Sequence, residues 1–128
     1  MATVAARAGG ADPNAASLSA AQTGNGVSTN IVDRGGAVGR PALLKITTTV
    51  GATPTCTYAI EGSPDGVNWF SAAYEDSAAP GVLSSATFVI TTATTVWKIL
   101  PADRPWKYLR ITYSGNTNVT NTADVFVF

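Results

Sequence analysis

Apolar and polar positions alternate with a period of two along most of the chain after residue 26. Leu44 and Ile46 alternate with Lys45 and Thr47, and the stretch 108–113 alternates in the same way. Successive side chains of an extended strand point to opposite faces, whereas a helix would repeat its apolar positions every three to four residues. The pattern therefore predicts β-strands with one buried and one exposed face.

Turn signals separate these alternating runs at regular intervals, and together they predict about eight short strands. The strands are placed near Val27 to Val32, Ala42 to Val50, Thr55 to Gly62, Asn68 to Tyr74, Ala86 to Thr92, Thr95 to Leu100, Lys107 to Ser114 and Thr122 to Phe128. This spacing is typical of an all-β, antiparallel β-sandwich of jelly-roll or Greek-key type. The apolar run 124–128 predicts a strand that is paired to its last residue.

The segment Ser63-Pro64-Asp65-Gly66 carries the strongest turn signal of the chain. Pro64 presets the backbone for a turn, Asp65 is suited to cap it, and Gly66 tolerates a positive φ. We expect a tight hairpin here. Asp65 with Asn68 and Glu61 also offers oxygen ligands for calcium, but the spacing of an EF-hand is missing.

Residues 1–26 differ from the remainder of the chain. They consist mainly of Ala, Gly, Ser and Thr, with almost no large side chain. Such a segment buries too little apolar area to offset the entropy lost on ordering. The sequence therefore predicts a flexible N-terminal arm over 1–26 and one β-sandwich domain over 27–128.

Charge and residue usage exclude several functions. Among 128 residues, eight Lys+Arg balance eight Asp+Glu, and charged residues make up only 12%. Nucleic-acid or anionic-membrane binding needs clustered positive charge, so neither is expected. A surface so poor in charge favours association with other proteins.

Catalytic chemistry has little support in the sequence. Histidine is absent, which removes the usual activation of Ser and Cys nucleophiles and the commonest zinc ligand. The adjacent carboxylates Glu75 and Asp76 point to opposite faces of an extended chain and are expected in a solvated loop. We predict a non-enzymatic protein without metal or cofactor, made in the cytoplasm because no signal peptide or membrane span is evident.

Cys56 and the tryptophans have both structural and functional interpretations. Cys56 lies on an apolar strand face and is expected to be a buried, unreactive thiol. Trp69, Trp97 and Trp106 suit a sugar-stacking platform, but large aromatic side chains of a small sandwich more often fill its core. We expect Trp69 and Trp97 in the core, and Trp106 exposed in a loop.

Two segments carry a resemblance to known families. Tyr58 to Trp69, YAIEGSPDGVNW, and Arg104 to Tyr113, RPWKYLRITY, are similar to a pattern of tailed-bacteriophage capsid decoration (cement) proteins and of discoidin-like carbohydrate- and lipid-binding modules. The stretches 28–36, STNIVDRGG, and 39–44, GRPALL, resemble the cement proteins and not the discoidin modules. The resemblance to cement proteins thus covers most of the chain from residue 27 onward.

This resemblance implies a structural role on a virus particle. The chain would bind the outer surface of a phage capsid, with the major capsid protein as partner, and stabilise it. It would also associate with itself, as a trimer, since cement proteins of this appearance sit at local symmetry axes. The alternatives are a discoidin-like binding module and another virion or tail component.

Charged residues gather at one place in this charge-poor chain and suggest a partner site. Asn30, Asp33 and Arg34 end the first predicted strand, Arg40 follows the glycine loop, and Trp106 is the loop tryptophan. Arg34 and Arg40 are expected to make bidentate contacts with carboxylates or carbonyls of the capsid. The alternative is a surface ion pair of Asp33 with one of the two arginines, which would contribute about 0 to 1 kcal/mol.

Overall fold

The computed structural model describes residues 2–5, 14–35 and 39–127, and its regular structure is almost entirely β. The strands of these residues are, in chain order, β1 (Ala2–Ala5), β2 (Asn14–Gln22), β3 (Gly26–Val27), β4 (Asn30–Asp33), β5 (Ala42–Ser63), β6 (Phe70–Ser71), β7 (Tyr74–Asp76), β8 (Leu83–Ser84), β9 (Phe88–Ile90), β10 (Thr95–Leu100) and β11 (Tyr108–Val127). No helix in these ranges is long and apolar enough to cross a membrane.

Two long antiparallel strands, β5 and β11, form the frame of the molecule. They pair from Tyr108 with Ser63 to Val127 with Ala42, and the register shifts between Ser114 and Val119. At this shift Thr53, Gly115 and Asn118 have positive φ. Such angles bend the ribbon, so its two halves belong to two layers.

Each half of the β5–β11 ribbon collects its own neighbours. In the first layer, residues 42–50 pair with β10, which continues to β7 and β8, and residues 121–127 pair with β2. In the second layer, β6 and β9 pair with residues 56–62, and β3 and β4 pair with residues 108–113. Among the described strands, β1 pairs with β4 in parallel, and the other pairings are antiparallel.

The core lies between the two layers and is joined across them by polar as well as apolar contacts. The Tyr58 hydroxyl of the second layer donates to Asn121 Oδ1 of the first. Ser19 Oγ and the Tyr113 hydroxyl are 2.9 Å apart. The fully buried apolar side chains from both layers include Leu18, Val32, Leu44, Ile46, Tyr58, Leu109, Ile111, Tyr113, Val119 and Val125.

The predicted all-β sandwich is confirmed, but the strand inventory differs. The described residues form eleven strands. The predicted pairs of strands over 42–62 and 107–128 are single long strands, because the bends at Thr53 and Asn118 turn the chain without ending its pairing. The strand over Thr95–Leu100 has the predicted bounds, and the C-terminal strand is paired as far as Val127.

The N-terminal prediction does not match the structure over residues 14–22. This segment is strand β2, paired to β11, with Ala16 and Leu18 almost fully buried. The prediction of a flexible arm considered only the small apolar area of its side chains. Pairing with β11 also provides backbone hydrogen bonds along the segment, which stabilise it. Residues 1 and 6–13 of the predicted arm lie outside the described residues.

Candidate interaction surface

Arg34, predicted to contact a partner, is an internal anchor. It follows β4 and is 1% exposed. Its Nη1 donates to the Trp106 carbonyl at 3.1 Å, its Nη2 donates to the Arg40 carbonyl, and its backbone N–H donates to Lys107 at 2.7 Å. Burial lowers the pKa of the Arg34 guanidinium. The prediction assigned the Arg34 guanidinium to acceptors of a partner, whereas in the structure it is buried and donates to carbonyl groups of the same chain.

Trp106 packs over the end of the core and is not the exposed aromatic that was predicted. Its ring covers Gly62 so closely that a Cβ at this position would overlap the indole. The Trp106 ring also stacks on Phe70, with ring centroids 5.7 Å apart. Phe70 is 51% exposed, so the aromatic surface at this end is presented by Phe70.

Asn30 and Asp33 are also engaged within the chain. Asn30 Nδ2 donates to the Ser17 carbonyl at 3.0 Å and so connects β4 to β2. Asp33 Oδ1 accepts the Gly35 backbone N–H at 2.8 Å. Of the five residues predicted to contact a partner, Arg40 is the one that is exposed. The structure therefore brings Arg34, Arg40 and Trp106 together, while Asn30 belongs to the contact between the layers.

The predicted turn before β6 adds an apolar side chain to this region. Gly66 has φ +79°, and Asp65 Oδ1 accepts the backbone N–H groups of Val67 and Asn68 at 2.8 Å each. These bonds hold the pKa of Asp65 well below its usual range. The capping role of Asp65 and the hairpin between β5 and β6 are thus confirmed. The turn presents Val67, which is 78% exposed.

We call the group of Arg34, Arg40, Val67, Phe70 and Trp106 the Trp106 end. It combines a buried guanidinium, a packed indole and two exposed apolar side chains. Val67 and Phe70 are both exposed and follow one another closely after the Asp65 turn. Exposed apolar side chains that lie close together are typical of protein contact sites. Sequence analysis missed Val67 and Phe70, although an apolar residue directly after a turn capped by Asp65 is a detectable signal.

Trp69 and Trp97 lie on the outer faces of the layers, contrary to the prediction that they fill the core. The Arg110 guanidinium lies 4.0 Å from the Trp69 ring centroid. Trp97 contacts Phe126, at 5.9 Å between ring centroids, and Lys45, whose Nζ is 5.4 Å from the Trp97 ring. The position of Trp97 follows from the phase of β10, because the next residue, Lys98, points inward, whereas Trp69 lies in the loop before β6.

The inward position next to Trp97 is taken by Lys98, which sequence analysis did not identify. Lys98 is 5% exposed, and its Nζ lies 2.7 Å from Asp76 Oδ2 and 4.5 Å from the Phe88 ring centroid. This ion pair, with a hydrogen bond from Ala78, lowers the pKa of Asp76. Asp76 is therefore in strand β7 and not in the solvated loop that was predicted, while Glu75 accepts the Gly81 N–H.

Other chemical groups of the described residues are used structurally. Cys56 is fully buried, as predicted, and burial raises the pKa of its thiol. Within the described ranges, no cluster of three or more Cys, Asp or Glu side chains suits a metal ion. An open cavity of about 380 Å³ lies at the bend of the long strands and is lined by Thr23, Thr49, Val50, Gly51, Asn118, Val119 and Thr120.

The fold is a two-layer β-sandwich that exposes the apolar side chains of Val67 and Phe70 at one end. Its structure is similar to the crystal structure of the SPBc2 prophage-derived protein YomS, with a TM-score of 0.63, 11% sequence identity, and coverage of 91% of this chain and 94% of that chain. At this identity the likeness establishes a shared fold. No protein-family model and no curated protein sequence matches the chain.

Proposed function

We propose that this chain is a non-enzymatic structural protein of a bacteriophage virion that binds the outer surface of the capsid and stabilises it. The observation that carries the proposal is the likeness, over nearly the whole of both chains, to a prophage-derived protein. The more specific role on the capsid is supported by the resemblance of residues 28–36, 39–44, 58–69 and 104–113 to cement proteins.

The Trp106 end is the surface proposed to contact the capsid. Val67 and Phe70 are exposed on a rigid support, because the Asp65 turn fixes the first and the Trp106 ring supports the second. Exposed apolar anchors surrounded by polar groups typically contribute most of the binding energy at a protein interface. The exposed Arg40 belongs to the same end of the molecule, because the Arg34 guanidinium donates to both the Arg40 and the Trp106 carbonyl.

A non-enzymatic role agrees with the use of the reactive side chains. The Cys56 thiol is buried, the Asp76 carboxylate pairs with Lys98, and the Glu61 carboxylate accepts hydrogen bonds from Arg110 and Thr112. Each of these groups stabilises contacts between strands.

Binding of the purified protein to undecorated capsids of the phage that encodes it tests this proposal. The double variant V67S/F70S removes the exposed anchors and should weaken binding at least tenfold, a loss of about 1.4 kcal/mol. The matched control is V50S, which alters an exposed valine elsewhere. Equal binding of both variants would exclude the Trp106 end, and antibody labelling of the tail alone, or binding to glycans without particles, would overturn the capsid role.

A further inference from the structure

The outer face of the first layer carries two rows of side chains that run across β10, β5, β11 and β2. Residues that are directly paired in register make up each row. The first row is Ile99, Leu43, Phe126 and Ala15, and the second is Trp97, Lys45, Asp124 and Ser17. No described strand forms a further layer over them. The solvent face of an antiparallel sheet is ordinarily polar, so an apolar row with an aromatic neighbour is unusual there.

The charges of this face are balanced across its midline. Lys45 on β5 and Asp124 on β11 are register neighbours. Burial raises the pKa of the Asp124 carboxyl, and the charge of Lys45 acts in the opposite direction. Both residues of this pair are partly buried and lie at the centre of the face.

The two edges of this face carry side chains of different size, and a two-fold axis would place the large ones of one molecule against the small ones of the other. On one flank β10 presents the large Trp97 and Ile99, and on the other flank β2 presents the small Ser17 and Ala15. We consider a two-fold axis that lies in the contact plane, parallel to the strands and midway between β5 and β11. Rotation about it places β10 of one molecule over β2 of the other, and β5 over β11. In a pair of molecules related by this axis, Trp97 and Ile99 would lie opposite the small Ser17 and Ala15 of the other copy.

The same axis brings opposite charges together. Lys45 would face the partner's Asp124, and Leu43 would face the partner's Phe126. We propose that the outer face of the first layer is a self-complementary interface through which two copies of this chain associate, layer on layer. The inference does not rest on the virion role, since it uses another surface than the Trp106 end.

The size of the face is that of a small protein interface. Its strand residues are 14–22, 42–50, 74–76, 83–84, 95–100 and 121–127, and at about 4.8 Å by 3.3 Å each they give a flat face of roughly 570 Å². This area is close to the lower end of the about 600 to 1,000 Å² that each partner of a standard protein interface buries. Two sheets that pack face to face keep their strands within about 30° of each other, which an axis along the strands allows.

Exchange of charge at the central pair tests the interface. The variants K45D and D124K each place like charges opposite each other across the axis, so each should weaken self-association at least tenfold in sedimentation velocity. A mixture of the two variants should form a heterodimer, because every contact between the copies is then between opposite charges. In each variant, residues 45 and 124 of the same chain still carry the same charge. Formation of the heterodimer would therefore report a contact between the two copies and not a contact within one chain.

Controls keep the result specific. T57D introduces the same charge on the outer face of the second layer and should leave the dimer unchanged. S17Y fills the small flank opposite the partner's Trp97 and should also dissociate the dimer. Circular dichroism verifies that each variant is folded. A wild-type monomer or trimer at all concentrations, a K45D variant that still dimerises, or a mixture that forms no heterodimer would overturn the proposal.

Discussion

At the scale of single residues, three buried polar side chains stabilise the interior. Arg34 connects the carbonyl groups of two loops, Asn121 accepts the Tyr58 hydroxyl, and Lys98 pairs with Asp76 over the Phe88 ring. A buried polar group adds to stability only when its partners are present, since their loss leaves a desolvated donor or acceptor. These residues therefore specify how the ends of the strands meet.

Substitution of Arg34 should destabilise the fold more than substitution of Arg40. Arg34→Ala leaves the Trp106 and Arg40 carbonyls without this donor and opens a cavity, so the free energy of unfolding should fall by about 3 kcal/mol. Arg40→Ala truncates an exposed side chain, whose surface contacts contribute about 0 to 1 kcal/mol, so its effect should be smaller. Urea denaturation of both variants measures the difference, and equal stability of the two would contradict the anchoring role.

At the scale of elements, the last strand serves as the scaffold for the N-terminal segment. β2 pairs with the distal half of β11, and its inward residues Ala16 and Leu18 join the core. The small side chains of β2 leave no gap, because side chains of the second layer fill the space between the two layers. The segment 14–22 is therefore part of the sandwich and not an appendage.

Truncation of one β2 side chain tests this assignment. Leu18 is 1% exposed, so Leu18→Ala should lower the free energy of unfolding by about 2 to 4 kcal/mol. Ala20→Ser, at an exposed position of the same strand, serves as control and should be nearly neutral. Thermal or chemical denaturation gives the values. A Leu18→Ala protein as stable as the wild type would show that β2 is loosely held, as the sequence had suggested.

At the scale of the whole molecule, a balanced and sparse set of charges leaves few electrostatic contributions to stability. The described ion pairs include Lys98 with Asp76 and Arg110 with Glu61, which both cross between neighbouring strands. The buried ammonium of Lys98 depends on Asp76, whose carboxylate is half exposed. Stability should therefore respond to acid through this pair.

The expected pH dependence follows from the lowered pKa of Asp76. A carboxyl whose pKa is lower in the folded protein contributes stability above its unfolded value near pH 4, and this contribution is lost as the pH falls through the folded value. Solvent screening limits it to about 1 kcal/mol. Thermal melts between pH 6 and pH 2 should show a smaller decrease for Asp76→Asn, which has lost the titrating group. Parallel curves for the two proteins would exclude this origin.

Local patterns in the sequence determined the class of fold and several of its parts. The alternation around Leu44 and Ile111, the turn at Asp65 and Gly66, and the buried Cys56 all depend on neighbours within a few residues, so periodicity and turn chemistry were sufficient to predict them. The strand of residues 95–100 was predicted for the same reason.

The tertiary structure alone decided which face of β10 meets the core, and which segments pair. The alternation in β10 defines two sets of side chains without showing which set is buried. The structure buries the set that contains Lys98 and leaves Trp97 on the outer face. β2 depends on a partner about a hundred residues away, and the burial of Arg34 depends on loops that contain Arg40 and Trp106. Contacts between distant segments are set by the packing of the whole chain, and for this reason the candidate surface required the structure.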